Sequence, residues 1–390
     1  MKKVIFVNSH PIQYFAPLYK YLNNQGLKTK AWYCSDYSIK GGYDKEFGVN
    51  VKWDIPLLQG YDYQFFKNFS TNKELYMGFF GLINFGMVSQ IFKEPKSVII
   101  VHGWNFFTHF LVLLLAKIKG HTVCLRSETP MVHEQYKSGW KQKIKLFGLK
   151  HILFPRIDYF LYIGKQNKLF FKSLGVNEDN LFFCPYSIDN KRFGNAYKTY
   201  LPQRLDLKKN IGIPEQDKVI LYSGKYIDKK RPLDLLMAFK TLNKKDCWLV
   251  MVGEGELRKK MEKIIKENQI KNVVLTGFIN QSIIAEYYAL SDVFVMCSTL
   301  GETWGLSVNE AMNFNLPVIL SDLTGSSYDL VQEGVNGYTF KTGNVDQLCK
   351  QLDKLLYNNS LTWSKSSQDI IKDYSYDTIL DSLEQIVKTK

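Results

Sequence analysis

Two glutamates, Glu302 and Glu310, flank the short run Gly305-Leu306-Ser307. Each carboxylate can accept two hydroxyl hydrogen bonds, which is the contact that grips a sugar or a ribose. Glycine lets a backbone come close to a ligand, and the free amides of a helix starting at Leu306 would offer donors and a positive dipole end to a phosphate. The competing use of two acids near a helix start is dipole complementation. Gly224-Lys225 and Lys230 follow the β-rich run Lys218–Ser223. Cations at a strand end can neutralise a leaving diphosphate, although Lys-Lys-Arg turns are often only solvated. Val252-Gly253-Glu254-Gly255 is not a complete dinucleotide loop and reads as a structural turn.

The first half carries a second set. His102, beside Gly103, closes the apolar run Ile99–Val101, and Arg126-Ser127-Glu128 closes the next. Ser9-His10-Pro11-Ile12-Gln13 follows Val4–Val7, where a nucleotide-binding protein usually has glycines. This loop offers side chains instead of bare amides. His10 and Gln13 can hydrogen-bond a sugar or an acceptor, while Pro11 stiffens the turn and restricts its neighbour. His10 could equally be a loop-packing residue. The histidines show no His-x-x-x-His spacing and the cysteines no Cys-x-x-Cys pair, so a protein-held metal is not expected.

These loops need a scaffold. Strands are expected at Val4–Val7, Ala31–Cys34, Ser97–Val101, Thr122–Arg126 and Tyr159–Ile163, then at Lys218–Ser223, Trp248–Val252, Asn272–Thr276, Val293–Cys297 and Pro317–Ser321. Helical periodicity fills the intervals, including Leu306–Asn313. Alternating strand and helix over 390 residues predicts an α/β protein of two doubly wound, Rossmann-like domains facing each other across a cleft. Domain limits are expected at residues 1–195 and 196–375, with 376–390 a helix packing back on the first domain. Asp189–Leu207 is polar and aperiodic, and is expected to be an irregular hinge.

The net charge is +14, with 45% hydrophobic and 23% charged residues. From Lys137 to Lys172 basic residues recur with Asp158 as the only acid, interleaved with Trp140, Leu146, Phe147 and Ile152. This pattern suits the anionic surface of a membrane better than nucleic acid, for which no zinc-finger, RNP or helix-turn-helix pattern is present. The most apolar stretches, 76–88 and 107–116, fall short of the ~20 residues that span a bilayer. A cytoplasmic protein, peripheral on the inner membrane face, is expected.

The segment "ETWGLSVNEAMNFNLPVILSD" resembles the glutamate–seven residues–glutamate region of retaining GT-B glycosyltransferases of the family-4 type, the bacterial group 1 enzymes. "SGKYIDKKRPLDLL" resembles their phosphate loop, and "LFFCPYSIDNKRF" and "DLVQEGVNGYTF" are similar to their flanking segments. The resemblance implies that Glu310 holds a nucleotide ribose and Glu302 the donor sugar. Gly224, Lys225 and Lys230 would bind the diphosphate with the Gly305, Leu306 and Ser307 amides, and His102 would lie near the transferred sugar. His10, Gln13, Arg126 and Glu128 are placed on the acceptor or sugar side. It further implies a UDP- or GDP-linked sugar as co-substrate, no cofactor, no metal, and a glycan or lipid-linked acceptor in bacterial surface polysaccharide assembly, including lipopolysaccharide. Nucleotide-sugar epimerases, phosphorylases and inactive scaffolds share the fold and remain alternatives.

Overall fold

The computed structural model describes residues 2–71, 78–358, 360–362 and 365–389. Of the apolar stretch 76–88, Tyr76 and Met77 lie outside the described residues. The chain divides into two compact units: residues 1–42, 55–188 and 375–390 form the first, and residues 43–54 and 189–374 the second.

Seven strands of the first unit form one parallel sheet: β1 (Val4–Asn8), β2 (Thr29–Tyr33), β5 (Asp62–Phe65), β6 (Val98–His102), β7 (Thr122–Arg126), β8 (Tyr159–Tyr162) and β9 (Leu181–Phe183). Their order is β5-β2-β1-β6-β7-β8-β9. The central strands are nearly continuous runs of Val, Ile and Leu with no exposed face, because helices cover both sides. The C-terminal helix Tyr376–Lys388 belongs to this unit and buries Ile379, Leu383 and Ile386.

The second unit has six parallel strands: β10 (Lys218–Ser223), β11 (Cys247–Val252), β12 (Val273–Gly277), β13 (Val293–Met296), β14 (Val318–Ser321) and β15 (Gly337–Phe340). The order β12-β11-β10-β13-β14-β15 reverses direction beside β10 and β13, so the loops after those two strands open at the switch point where such sheets bind ligands. A two-stranded hairpin, β3 (Gly42–Asp44) and β4 (Val49–Val51), runs into the segment 43–54 that clusters with this unit.

All the expected strands are present, with ends moved by at most two residues, and the helix Leu306–Asn313 has the expected limits. Three edge strands, β5, β9 and β15, were not anticipated. An edge pairs on one side only, and β5 and β9 are short and only half-buried, so they lack an apolar run long enough to read. The expected irregular hinge is instead helical, at Asn190–Tyr200 and Arg204–Asn210. Asp189 caps the first helix by accepting from the Arg192 amide at 2.9 Å. Within that helix only Phe193 is buried, so its polar sequence shows little periodicity.

Candidate functional site

In the second unit the loop after β13 is pinned at several points. Thr299 N–H donates to the Lys229 carbonyl at 2.9 Å, and Gly325 N–H to the Glu302 carbonyl at 3.0 Å. A Cβ on Gly325 would lie 1.9 Å from the Thr303 carbonyl oxygen, so only glycine permits this approach. Trp304, buried, donates from Nε1 to Asn309 at 2.9 Å and locks the turn into the helix. Gly305 makes that turn with φ +94, and a Cβ there would meet Met296 Sδ at 2.6 Å. The helix Leu306–Asn313 therefore starts with its first amides at the carboxyl ends of β13 and β14.

Two carboxylates are held by this frame. Glu302 is buried, pairs with the Lys230 ammonium and accepts from Ser298 Oγ at 3.2 Å. Burial pushes its pKa up, but the charges of Lys230 and Lys229 with the Lys230 and Ser298 hydrogen bonds outweigh that, and it stays below the ordinary carboxylate range. Glu310, 2% exposed, accepts from Tyr288 Oη at 2.7 Å and Gln281 Nε2 at 3.1 Å. Tyr288 and Gln281 are absent from the sequence-based set, because Tyr288 sits on an apolar helix face and reads as core. Lys225, one residue beyond Gly224, is engaged by Asp44 at 3.1 Å and Glu46 at 2.7 Å, and lies over the Phe47 ring. Phe278, packed edge-on against Phe47 and Trp53, and Asn280, donating to the Lys52 carbonyl at 2.8 Å, tie the same segment down. Nothing in the sequence pattern signals this strap.

The first unit gathers another cluster at the carboxyl edge of its sheet. His102 and Arg126 are register partners at the ends of β6 and β7. The Tyr19 hydroxyl donates to Asn8 Oδ1 at 2.9 Å, so its 3.3 Å contact with His102 uses the histidine Nε2–H as donor and leaves Nδ1 as the acceptor. His109 donates from Nδ1 to the His102 carbonyl at 3.0 Å. Burial pushes the His102 pKa well below its usual value, and the Arg126 charge and His109 lower it further, so the ring is neutral at pH 7. The Arg126 guanidinium lies 5.1 Å from the Phe15 ring and 4.8 Å from the Tyr186 ring, which stack on each other with centroids 6.1 Å apart. His10 is within 2.9 Å of Ser9 Oγ, and burial lowers its pKa to about 4. Gln13 and Glu128 are half-buried, in the loops after β1 and β7. Of the basic run 137–172, Leu149, Leu153 and Phe154 are core residues, whereas Trp140, Ile144, Phe147 and Ile152 are exposed. Within the run, Lys145 pairs with Glu134, and Lys168 and Lys172 pair with Glu178.

Comparison with known proteins agrees with this architecture. Residues 203–375 match the family described as "Glycosyl transferases group 1". N-acetyl-alpha-D-glucosaminyl L-malate synthase of Bacillus anthracis is 28% identical over 185 residues, which are 46% of this chain and 48% of the relative. Alpha-monoglucosyldiacylglycerol synthase of Acholeplasma laidlawii is 27% identical over 57% of this chain and 56% of its own. The chain thus spans about half the length of the curated relatives it matches. Anabaena HepE, solved in complex with UDP, superposes with a TM-score of 0.76 at 15% identity over 100% of both chains. The chain has the GT-B fold, and its residues 203–375 match the group 1 glycosyl transferases.

Proposed function

We propose that the protein is a retaining glycosyltransferase that moves a sugar from a UDP- or GDP-linked donor to a glycan or lipid-linked acceptor in bacterial surface polysaccharide assembly, without a metal. The observation that carries this reading is the pair of buried carboxylates in a group 1 domain, Glu302 on Lys230 and Glu310 on Tyr288 and Gln281. In this reading Glu310 accepts the ribose hydroxyls and Glu302 those of the donor sugar. Gly224, Lys225, Lys230 and the Gly305, Leu306 and Ser307 amides hold the diphosphate and stabilise the charge that develops as it departs.

The proposed step is a same-face substitution. The bond from the sugar C1 to the diphosphate oxygen breaks, and the bond from C1 to the acceptor oxygen forms. The acceptor proton passes to the departing phosphate oxygen, so charge and atoms balance without an enzyme nucleophile. His102, neutral, can accept a hydrogen bond from a sugar hydroxyl at Nδ1. His10, Gln13, Arg126 and Glu128 would face the acceptor or sugar, and the exposed apolar and basic residues of 137–172 would rest on an anionic membrane.

The HepE complex with UDP supports the choice of nucleotide donor, and the Acholeplasma relative, an alpha-monoglucosyldiacylglycerol synthase, supports a lipid-type acceptor. A thermal-shift panel of UDP, GDP and their sugars identifies the donor, since a ligand at 100-fold its Kd adds about 2.7 kcal/mol. Proton NMR of the anomeric signal in the first turnovers then reads the stereochemistry. An inverted product, or a trapped glycosyl-enzyme, would overturn the mechanism.

A further inference from the structure

Arg126 is 3% exposed, yet no carboxylate pairs with its guanidinium among the described residues. Its Cζ lies 5.1 Å from the centroid of the Phe15 ring and 4.8 Å from that of Tyr186, beside the stack that the two rings form with each other. Nη2 donates to the carbonyl oxygens of Pro185 at 3.0 Å and Cys184 at 3.4 Å. Nε and Nη1, which are just as buried, have no hydrogen-bond partner among the described residues.

A guanidinium withdrawn from water without a counter-ion is strongly unfavourable, and two rings and two carbonyls offset only part of that. An apolar side chain of similar length would pack against the two rings without the penalty. The charge therefore has a use that packing does not supply. Its position is informative, because Arg126 ends β7 directly beside His102 at the carboxyl edge of a parallel sheet, where open α/β folds bind ligands.

We infer that Arg126 is an oxyanion-binding group, whose unpartnered Nε and Nη1 donors receive a phosphate or carboxylate that the substrate brings next to His102. The inference rests on the proposed transferase reading and narrows it to a substrate carrying a negative charge besides the donor diphosphate. That charge has two possible carriers, the donor sugar or the acceptor.

The neighbourhood is consistent with an anion. Burial and the arginine charge hold the imidazole beside Arg126 neutral, so Arg126 is the cation that an anion would meet at this strand edge. The two rings and the two carbonyl contacts at Nη2 hold the guanidinium in place.

The test is thermal unfolding of the full chain, saturated with UDP, in inorganic phosphate or acetate against chloride at matched ionic strength. Wild type should gain several degrees in Tm with at least one oxyanion, and Arg126→Met should gain none. A Lys225→Ala/Lys230→Ala background removes from the readout the two lysines proposed for the donor diphosphate and should retain the gain. Calorimetry then separates the carriers. A tenfold preference for UDP-glucuronate over UDP-glucose that disappears in Arg126→Met assigns the charge to the donor sugar. Equal donor affinities, with phosphate still stabilising the UDP-glucose complex, assign it to the acceptor. No oxyanion-specific gain in wild type, or an undiminished gain in folded Arg126→Met, overturns the inference. Should Arg126→Met fail to fold, Arg126→Lys replaces it and must lose at least half of the gain. Failure of UDP to bind at all instead sinks the transferase reading, and leaves the phosphate result in the Lys225→Ala/Lys230→Ala background to be judged alone.

Discussion

The Lys225 ammonium lies 3.1 Å from both carboxylate oxygens of Asp44, a residue 181 positions away in the chain, and 2.7 Å from Glu46. A cation proposed for the donor diphosphate is thus already matched by two carboxylates of the 43–54 strap. A phosphate reaching Lys225 must compete with them. Partly exposed ion pairs of this kind contribute roughly 0.2–1 kcal/mol each. The double change Asp44→Asn/Glu46→Gln is therefore expected to tighten UDP binding by about two- to tenfold, and Lys225→Ala to weaken it by about tenfold. Calorimetric titration checks both, and weaker binding in the double variant would mean that the strap builds the donor site and does not compete for it.

Glu310 depends on two donors from outside its own helix. Removing the Tyr288 hydroxyl leaves a buried carboxylate short of a partner, so Tyr288→Phe should destabilise the protein by about 1–3 kcal/mol. Glu310→Gln keeps the shape and removes the acceptor pair. Wild type should prefer UDP to 2′,3′-dideoxy-UDP by at least tenfold, and the variant should bind the two within about threefold of each other. An unchanged preference would place the ribose elsewhere.

The contrast between Glu310 and its partners marks how far the sequence could be read. The glutamates, the glycine turn and the helix Leu306–Asn313 are local, and periodicity with glycine placement reveals them in one short window. Tyr288, Gln281, Asp44 and Glu46 reach the site only through tertiary contacts. A tyrosine on an apolar helix face looks like core, and acids in a short hairpin look like solvated turn residues. The central strands were legible because burial on both faces demands unbroken apolar runs, whereas the edge strands β5 and β9 are half-buried and carry no such signal. The helix Asn190–Tyr200 was missed for a related reason, since a helix burying a single phenylalanine shows almost no periodicity. Arg126 was legible as a strand-end residue, but the absence of a counter-ion among the described residues was not.

Acid should loosen the first unit in a defined window. Burial lowers both His10 and His109 from 6.5 to about 4, and puts His102 well below its usual value. The unfolded chain takes up these protons near pH 6.5, but the folded chain does not until about pH 4. The stability these neutral rings allow is complete above pH 6.5 and declines as the pH falls toward 4. Each such proton steepens the stability curve by up to about 1.4 kcal/mol per pH unit. Urea melts at pH 7 and 5 should show His10→Gln losing less stability on acidification than wild type. Equal losses would mean that His10 is solvated and titrates normally. In transfer assays, His10→Ala should lower turnover more than it weakens UDP binding.

Membrane docking makes the most specific demand on the surface. Trp140, Ile144 and Phe147 recur at helical spacing along Trp140–Gly148 and are 68%, 61% and 63% exposed. Lys141 and Lys143 flank them without an acid on the same helix, whereas Lys145 is already tied to Glu134 at 2.6 Å. The unspent attraction for anionic lipid therefore rests more on Lys141 and Lys143 than on Lys145, at about 1 kcal/mol per charge near the surface. Co-sedimentation with vesicles containing phosphatidylglycerol should fall by about tenfold or more in Lys141→Gln/Lys143→Gln, and change little in Lys145→Gln. Trp140→Ser/Phe147→Ser should weaken binding to the same vesicles through lost insertion of apolar surface. Equal binding of the wild type to neutral phosphatidylcholine vesicles, or an unaltered response in the lysine variant, would show that this helix face serves something other than an anionic bilayer.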